Sequence, residues 1–192
     1  MALSVWNNEQ FFKLDVTGWL LALPSAPHRT SQVTMSAEQI QLIADELAIR
    51  NLVASFANFC SPPNYEKFAG LWVPDSQGTS AALWTLTRPF AMSATGVEKI
   101  TNMVKNLLES REFFVQMVHS GVVDITGDRA TGRWIVQEVA RGPGETYYKN
   151  YAVYEDVMQK VDGKWYFAER HYKYLFLDDS SFLGKSFSLT AQ

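Results

Sequence analysis

The chain has 192 residues, 47% hydrophobic, 14% aromatic and 19% charged, with a formal net charge of −3. This apolar content excludes wholesale disorder, and the absence of any Lys/Arg run argues against a nucleic-acid partner. No apolar run approaches the roughly 18 residues needed to span a bilayer. The single cysteine, Cys60, excludes a disulfide framework within the chain, and three histidines leave little from which to build a metal site. The aromatic content is the uncommon part: 6 Trp, 8 Tyr and 12 Phe can fill a core or line an apolar pocket.

Residues 1–34 read as an N-terminal arm or extension. Val16 to Leu23 is apolar, and Pro24, Pro27 and a polar stretch to Thr34 follow. Glu9 and Asp15 against one Lys13 lack the positive leader of a secretory signal, so a cytoplasmic location is expected. The domain proper is expected over 35–192. Ser36, Glu38 and Gln39 predict a capped helix start. Ile40, Ile43, Leu47, Leu52, Phe56 and Phe59 then recur at helical spacing, and Pro62-Pro63 ends the helix. Asn64 predicts the cap of a short second helix carrying Phe68 and Trp72. Pro74 to Gly78 reads as a turn, Ala81 to Leu86 as a short strand, and Gly96 to Ser110 as a third helix. From Phe113 the period becomes two. Strands are expected over 113–125, 130–141, 147–161 and 164–176, with Asp162-Gly163 the clearest hairpin signal. Helices first and antiparallel strands after them predict an α+β fold in which a curved sheet wraps around helices.

Several of these segments resemble one family. Ala48-Ile49-Arg50-Asn51-Leu52 and the stretch from Phe68 to Asp75 resemble the helical opening of SnoaL-like proteins in the NTF2-like superfamily. So do His119 with Val123 to Ala130, Tyr154-Glu155-Asp156, and Asp162 to Arg170. The resemblance implies a cone-shaped barrel, a strongly curved and mostly antiparallel sheet around about three N-terminal helices, enclosing a pocket and commonly forming a homodimer. The superfamily includes polyketide cyclases, dehydratases, ketosteroid isomerase, limonene epoxide hydrolase and non-catalytic subunits, so the residues must choose among them. Against scytalone dehydratase, His119 falls on the first catalytic histidine. The second falls on Ala140, the Tyr-Asp pair on Cys60-Ser61, and the Asn on Tyr154. Only one catalytic position is kept, which implies a different mechanism.

The expected catalytic residues are His119, Glu138, Tyr154 and Asp156. Strand alternation places His119 on one face with Met117, Gly121 and Val123, and a histidine there suits acid–base work. Gly121 would leave room for a ligand beside the imidazole. Glu138 shares a face with Trp134 and Ala140, where desolvation would raise its pKa; the opposite parity would put Gln137 inside instead. Tyr154 and Asp156 share a face with Asn150, and a tyrosine hydroxyl can steady developing oxygen charge. Phe56, Trp72, Trp84, Met117, Trp134 and Asn150 are the expected pocket walls. Cys60 reads as a small buried residue and His171 as a surface one.

These residues predict a cofactor-independent enzyme without a metal. It would dehydrate, isomerise or cyclise a hydrophobic polyketide-, terpenoid- or steroid-like substrate by acid–base catalysis, as in secondary metabolism. Two alternatives are epoxide opening, which would use Glu138 and Asp156 as a carboxylate pair together with His119, and a non-catalytic role such as the small subunit of a ring-hydroxylating dioxygenase. A homodimer through the outer sheet face is expected, since a broad sheet leaves one face to cover.

Overall fold

The computed structural model describes residues 34–75, 81–144 and 146–187. The expected arm, apart from Thr34, and most of the expected 74–78 turn lie outside the described residues.

Helix α1 (Ala37–Phe59) starts with a complete capping box: Gln39 N donates to Ser36 Oγ at 3.2 Å and Ser36 N donates to Gln39 Oε1 at 2.9 Å. Its buried stripe is Asp45, Ile49, Leu52, Val53, Phe56 and Ala57. Ile40, Ile43 and Leu47 fit the helical spacing but stay exposed, so burial of α1 begins only at Asp45. Helix α2 (Tyr65–Ala69) is capped by the Asn64 side chain, which accepts from Lys67 N at 3.0 Å. Helix α3 (Val97–Glu109) buries Ile100, Met103, Val104 and Leu108 on one face. It follows Gly96, whose φ of 88° suits glycine.

Among the described residues, six strands form one sheet in the order β2-β1-β6-β5-β4-β3. They are β1 (Leu83–Leu86), β2 (Met92–Thr95), β3 (Phe113–Thr126), β4 (Arg129–Gly142), β5 (Thr146–Val161) and β6 (Lys164–Asp178). Neighbours are antiparallel except β1 and β6, which run parallel. This is the expected α+β architecture. Strand β2 is the element without a sequence signal: of its four residues only Ala94 is buried, so no alternation shows.

Three irregularities interrupt the long strands. In β3, Val118 pairs with Val136 but Gly121 pairs with Trp134, which leaves one extra residue on β3. In β6, Glu169 pairs with Val157 while Phe167 pairs with Met158, and Phe176 pairs with Tyr151 while Tyr174 pairs with Ala152. Each adds one residue and reverses the inward parity of the strand. Inward side chains therefore run Phe114, Gln116, Val118 and then Val123, Ile125 on β3. On β6 they run Trp165, Phe167 and then Arg170, Tyr172, Tyr174.

Phe56 stands at the centre of the core. Its ring lies 5.0 Å from Phe68, 6.2 Å from Trp72, 5.7 Å from Trp84, 5.6 Å from Tyr154 and 6.0 Å from Phe167, mostly edge-on.

A buried carboxylate fixes α1 to the β5–β6 hairpin. Asp45 Oδ1 accepts from Trp165 Nε1 at 2.8 Å and lies 2.8 Å from Lys160 Nζ. Burial pushes the Asp45 carboxyl up, but the hydrogen bonds from Lys160, Trp165 and Gln41, with the Lys160 charge, outweigh it and hold it below the ordinary 3.8. A depressed carboxyl pKa stabilises the folded state above the unfolded value, and that stabilisation is lost as pH falls through the folded one. Asp45→Asn is expected to cost about 1.5–3 kcal/mol at pH 7, the range for hydrogen bonds to a charged group. Urea midpoints of the two proteins should converge once the pH drops below the ordinary carboxylate range.

Candidate functional site

The sheet and α3 enclose a cavity of about 190 Å³. Its walls are Phe56 of α1 and the C-cap Cys60 that follows it, Trp84 and Leu86 of β1, Val104, Leu107 and Leu108 of α3, and Phe114 of β3. Ala140 of β4, Tyr148 of β5 and Tyr174 of β6 continue the lining. Phe90 and Met92, 41% and 39% exposed, line the cavity where it meets solvent. An engineered apolar cavity of about 150 Å³ holds benzene, so this one has room for a small substituted ring.

One polar cluster interrupts the apolar lining. Glu138 on β4 faces Gln116 on β3 and Asn150 on β5, each directly opposite it in register. Gln116 Nε2 donates to Glu138 Oε1, and Asn150 Nδ2 donates to Glu138 Oε2 at 3.3 Å. Tyr172 Oη on β6 donates to Glu138 Oε2 at 2.7 Å. Gln116 Nε2 also donates to Tyr154 Oη at 2.9 Å. Desolvation raises the pKa of Glu138, opposed by those three hydrogen bonds and the Arg111 charge. Tyr154 is raised well above the usual phenol value, by burial and then by the Glu138 charge. Tyr172 is raised for the same two reasons. Three donors converge on Glu138, while Tyr154 receives a donor and keeps its own proton for another acceptor.

Of the expected site residues, Glu138, Tyr154, Asn150, Phe56 and Trp84 line this cavity. Five others do not. His119 is exposed, because it sits in the β3 bulge between Val118 and Gly121. The strict alternation that put it beside Gly121 fails at the extra residue. Met117 lies opposite in parity to the inward Gln116, for the same reason. The space at Gly121 is taken by protein: a Cβ there would stand 2.0 Å from Trp134 Cε3, and one at Gly132 would stand 2.8 Å from Trp134 Nε1. These two glycines form the slot in which the Trp134 indole is buried, with Arg50 over its ring at 5.6 Å. Trp72 packs behind Phe56, with its ring 5.4 Å from Phe167.

Asp156 points inward as expected but is not free. Arg170 Nε and Nη2 donate to its two oxygens at 2.8 Å each, and both side chains are fully buried. Burial raises the Asp156 pKa, and the charge and hydrogen bonds of Arg170 offset part of that rise. The Arg170 guanidinium lies 4.3 Å from the Phe56 ring, 3.9 Å from Tyr154 and 4.0 Å from Phe167. Cys60 is buried, as expected, and burial pushes its thiol up to about 12. His171 bonds Thr85 Oγ1 at 2.7 Å and Glu169 Oε2 at 3.3 Å away from the cavity.

Gln116, Tyr172, Tyr174 and Arg111 are cavity residues that alternation alone misses. Tyr172 and Tyr174 lie beyond the first β6 irregularity, where the inward set changes from odd to even numbers. The outer set there, Glu169, His171 and Lys173, is more polar, and that contrast is a signal for the switch.

A profile of the SnoaL-like domain matches residues 41–171. The chain belongs to this family. No curated protein sequence matches it. Among solved structures, this SnoaL-like chain is similar to a hexachlorocyclohexane dehydrochlorinase, LinA type 2, at 18% identity with a TM-score of 0.65, over 78% of this chain and 97% of that one. It is similar to the LinA-type3 dehydrochlorinase of Novosphingobium barchaimii LL02 at 18% identity and a TM-score of 0.64, over 79% and 99% of the two chains. A protein of Novosphingobium aromaticivorans provisionally named a scytalone dehydratase has 19% identity and a TM-score of 0.64, over 80% and 99%. At these identities the likeness is one of fold. Of the positions aligned with scytalone dehydratase catalytic residues, Cys60, Ala140 and Tyr154 line the cavity of this SnoaL-like domain, and His119 and Ser61 do not.

The buried Asp156–Arg170 pair generates a stability prediction. Arg170→Met leaves a buried carboxylate without its partner and is expected to destabilise by about 3–5 kcal/mol. The double change Arg170→Met with Asp156→Leu removes both charges and is expected to recover most of that loss. Urea unfolding of the three proteins gives the comparison.

Proposed function

We propose that this SnoaL-like domain is a cofactor-independent enzyme that moves a proton on a small hydrophobic substrate, in a dehydration, double-bond isomerisation or cyclisation. The observation that carries the reading is Glu138, a desolvated carboxylate in an aromatic cavity with three donors converging on it. Those donors orient it as an acceptor, and burial makes it a stronger base than a carboxylate in water. In an elimination Glu138 takes the proton from carbon. The C–H electron pair becomes the new double bond, and the leaving group departs with its own pair. Tyr154 stays neutral because burial raises its pKa, so its hydroxyl donates a hydrogen bond to the departing or enolate oxygen rather than a proton. The apolar walls exclude water from the reacting atoms. The names of the similar dehydrochlorinase and dehydratase structures agree with an elimination.

Epoxide opening by a carboxylate pair loses support, because Arg170 holds Asp156 outside the cavity lining. We propose the homodimer on the resemblance and on the outer sheet face left to cover, and the cytoplasmic location on the charges of the first fifteen residues.

The test is a panel of single-ring alcohols, halides and ketones with an acidic C–H, followed by mass spectrometry for elimination and for deuterium uptake from heavy water. Glu138→Gln keeps the shape and is expected to lower the rate by about 10² to 10⁴, the range for an acid–base group. His119→Ala is expected to leave it within about twofold, since a surface change away from special features has little effect. A base must be deprotonated, so the wild-type rate should rise with pH through a value above the ordinary 4.5. An unchanged rate in Glu138→Gln would sink the assignment.

A further inference from the structure

Arg111 is the one cationic residue among the described residues that line the cavity. It follows the C-terminus of α3, and its backbone N–H donates to Leu108 O at 2.9 Å. Its Nε donates to Leu107 O at 3.2 Å, which turns the guanidinium back toward the cavity wall. The guanidinium lies 4.7 Å from the Tyr148 ring, itself part of the lining. The nearby acidic groups in sequence, Glu109 and Glu112, pair with Lys105 at 3.6 Å and with Arg141 at 3.2 Å. No carboxylate among the described residues forms an ion pair with Arg111. Glu138, the one carboxylate of the lining among the described residues, acts on it only through space. A half-buried guanidinium in an apolar cavity, stacked on a ring and without a carboxylate, is a ready site for one from outside.

We propose that the substrate is a monoanionic single-ring compound, with a carboxylate that engages Arg111 while its ring lies against the Tyr148 and Tyr174 side of the cavity. The size of the cavity limits the body to about one ring, and its aromatic walls favour a planar or compact apolar one. Arg111 and Glu138 then divide the work: Arg111 holds the anionic end and Glu138 meets the reacting carbon. This inference rests on the reading of the cavity as a substrate site. It adds the charge of the substrate, which an apolar lining alone does not suggest.

The test uses benzoate and its neutral isostere benzamide as probes, with calorimetry on the full chain at pH 7.5. Wild type is expected to bind benzoate about tenfold or more tightly than benzamide, the margin of a charge-assisted over a neutral hydrogen bond. Arg111→Gln should erase that preference, and Arg111→Lys should keep part of it. Glu138→Gln should retain it, because the base takes no part in holding the carboxylate. Loss of turnover in Glu138→Gln and loss of probe preference in Arg111→Gln thus report on the two readings separately. The wild-type comparison needs no variant, so it stands even where a substitution unfolds the protein. Equal affinity for the two probes, no binding of benzoate, or a preference that survives Arg111→Gln overturns the assignment.

Discussion

The buried pair of Asp156 and Arg170 is the constraint around which the interior is arranged. A fully buried guanidinium is tolerated only when a close partner offsets its charge. Here Asp156 accepts from Nε and Nη2 and the rings of Phe56, Tyr154 and Phe167 pack against the guanidinium, while Nη1 has no hydrogen-bond partner among the described residues. Those rings come from α1, β5 and β6, so the ion ties the central helix to two adjacent strands. Phe56 belongs both to this cage and to the cavity wall, and so does Tyr154. The rigidity of the ion pair is thereby passed to the groups that face the cavity. The same arrangement keeps Asp156 out of the cavity lining, where Glu138 is the one carboxylate among the described residues.

Glu138 shows the complementary solution for a buried acid. Among the described residues no cation forms an ion pair with it, and neutral donors, two amides and a phenol, stabilise its charge. Hydrogen bonds alone leave desolvation the larger effect. Two carboxylates on neighbouring strands thus have different surroundings because a guanidinium pairs with one and not with the other.

The fold was largely legible in the sequence. Capping at Ser36 and Asn64, the hairpin at Asp162-Gly163 and the period-two strands each rest on local chemistry, and each appears where that chemistry places it. The site was legible only in part. Glu138, Tyr154 and Asn150 lie on β4 and β5, whose mutual register runs without interruption. His119 and Met117 on β3 and Tyr172 on β6 lie beside irregularities that alternation does not register. Asp156 was placed correctly, but its partner 14 residues further on belongs to another strand, and pairing across strands is a tertiary fact. Gly121 invited a ligand in the sequence, and only packing shows that the Trp134 ring fills the space.

The β3 bulge also governs how relatives of this chain can be compared with it. Residues before it and after it face the interior in opposite phase, so a single inserted or deleted residue there exchanges the inner and outer sets. Two homologous strands can then carry the same letters in the same order and present different ones to the cavity. Counting along β3 from the helix is a poor guide to equivalence. Position across the ladder from the β4 carboxylate is a better one, and in this chain that position is Gln116.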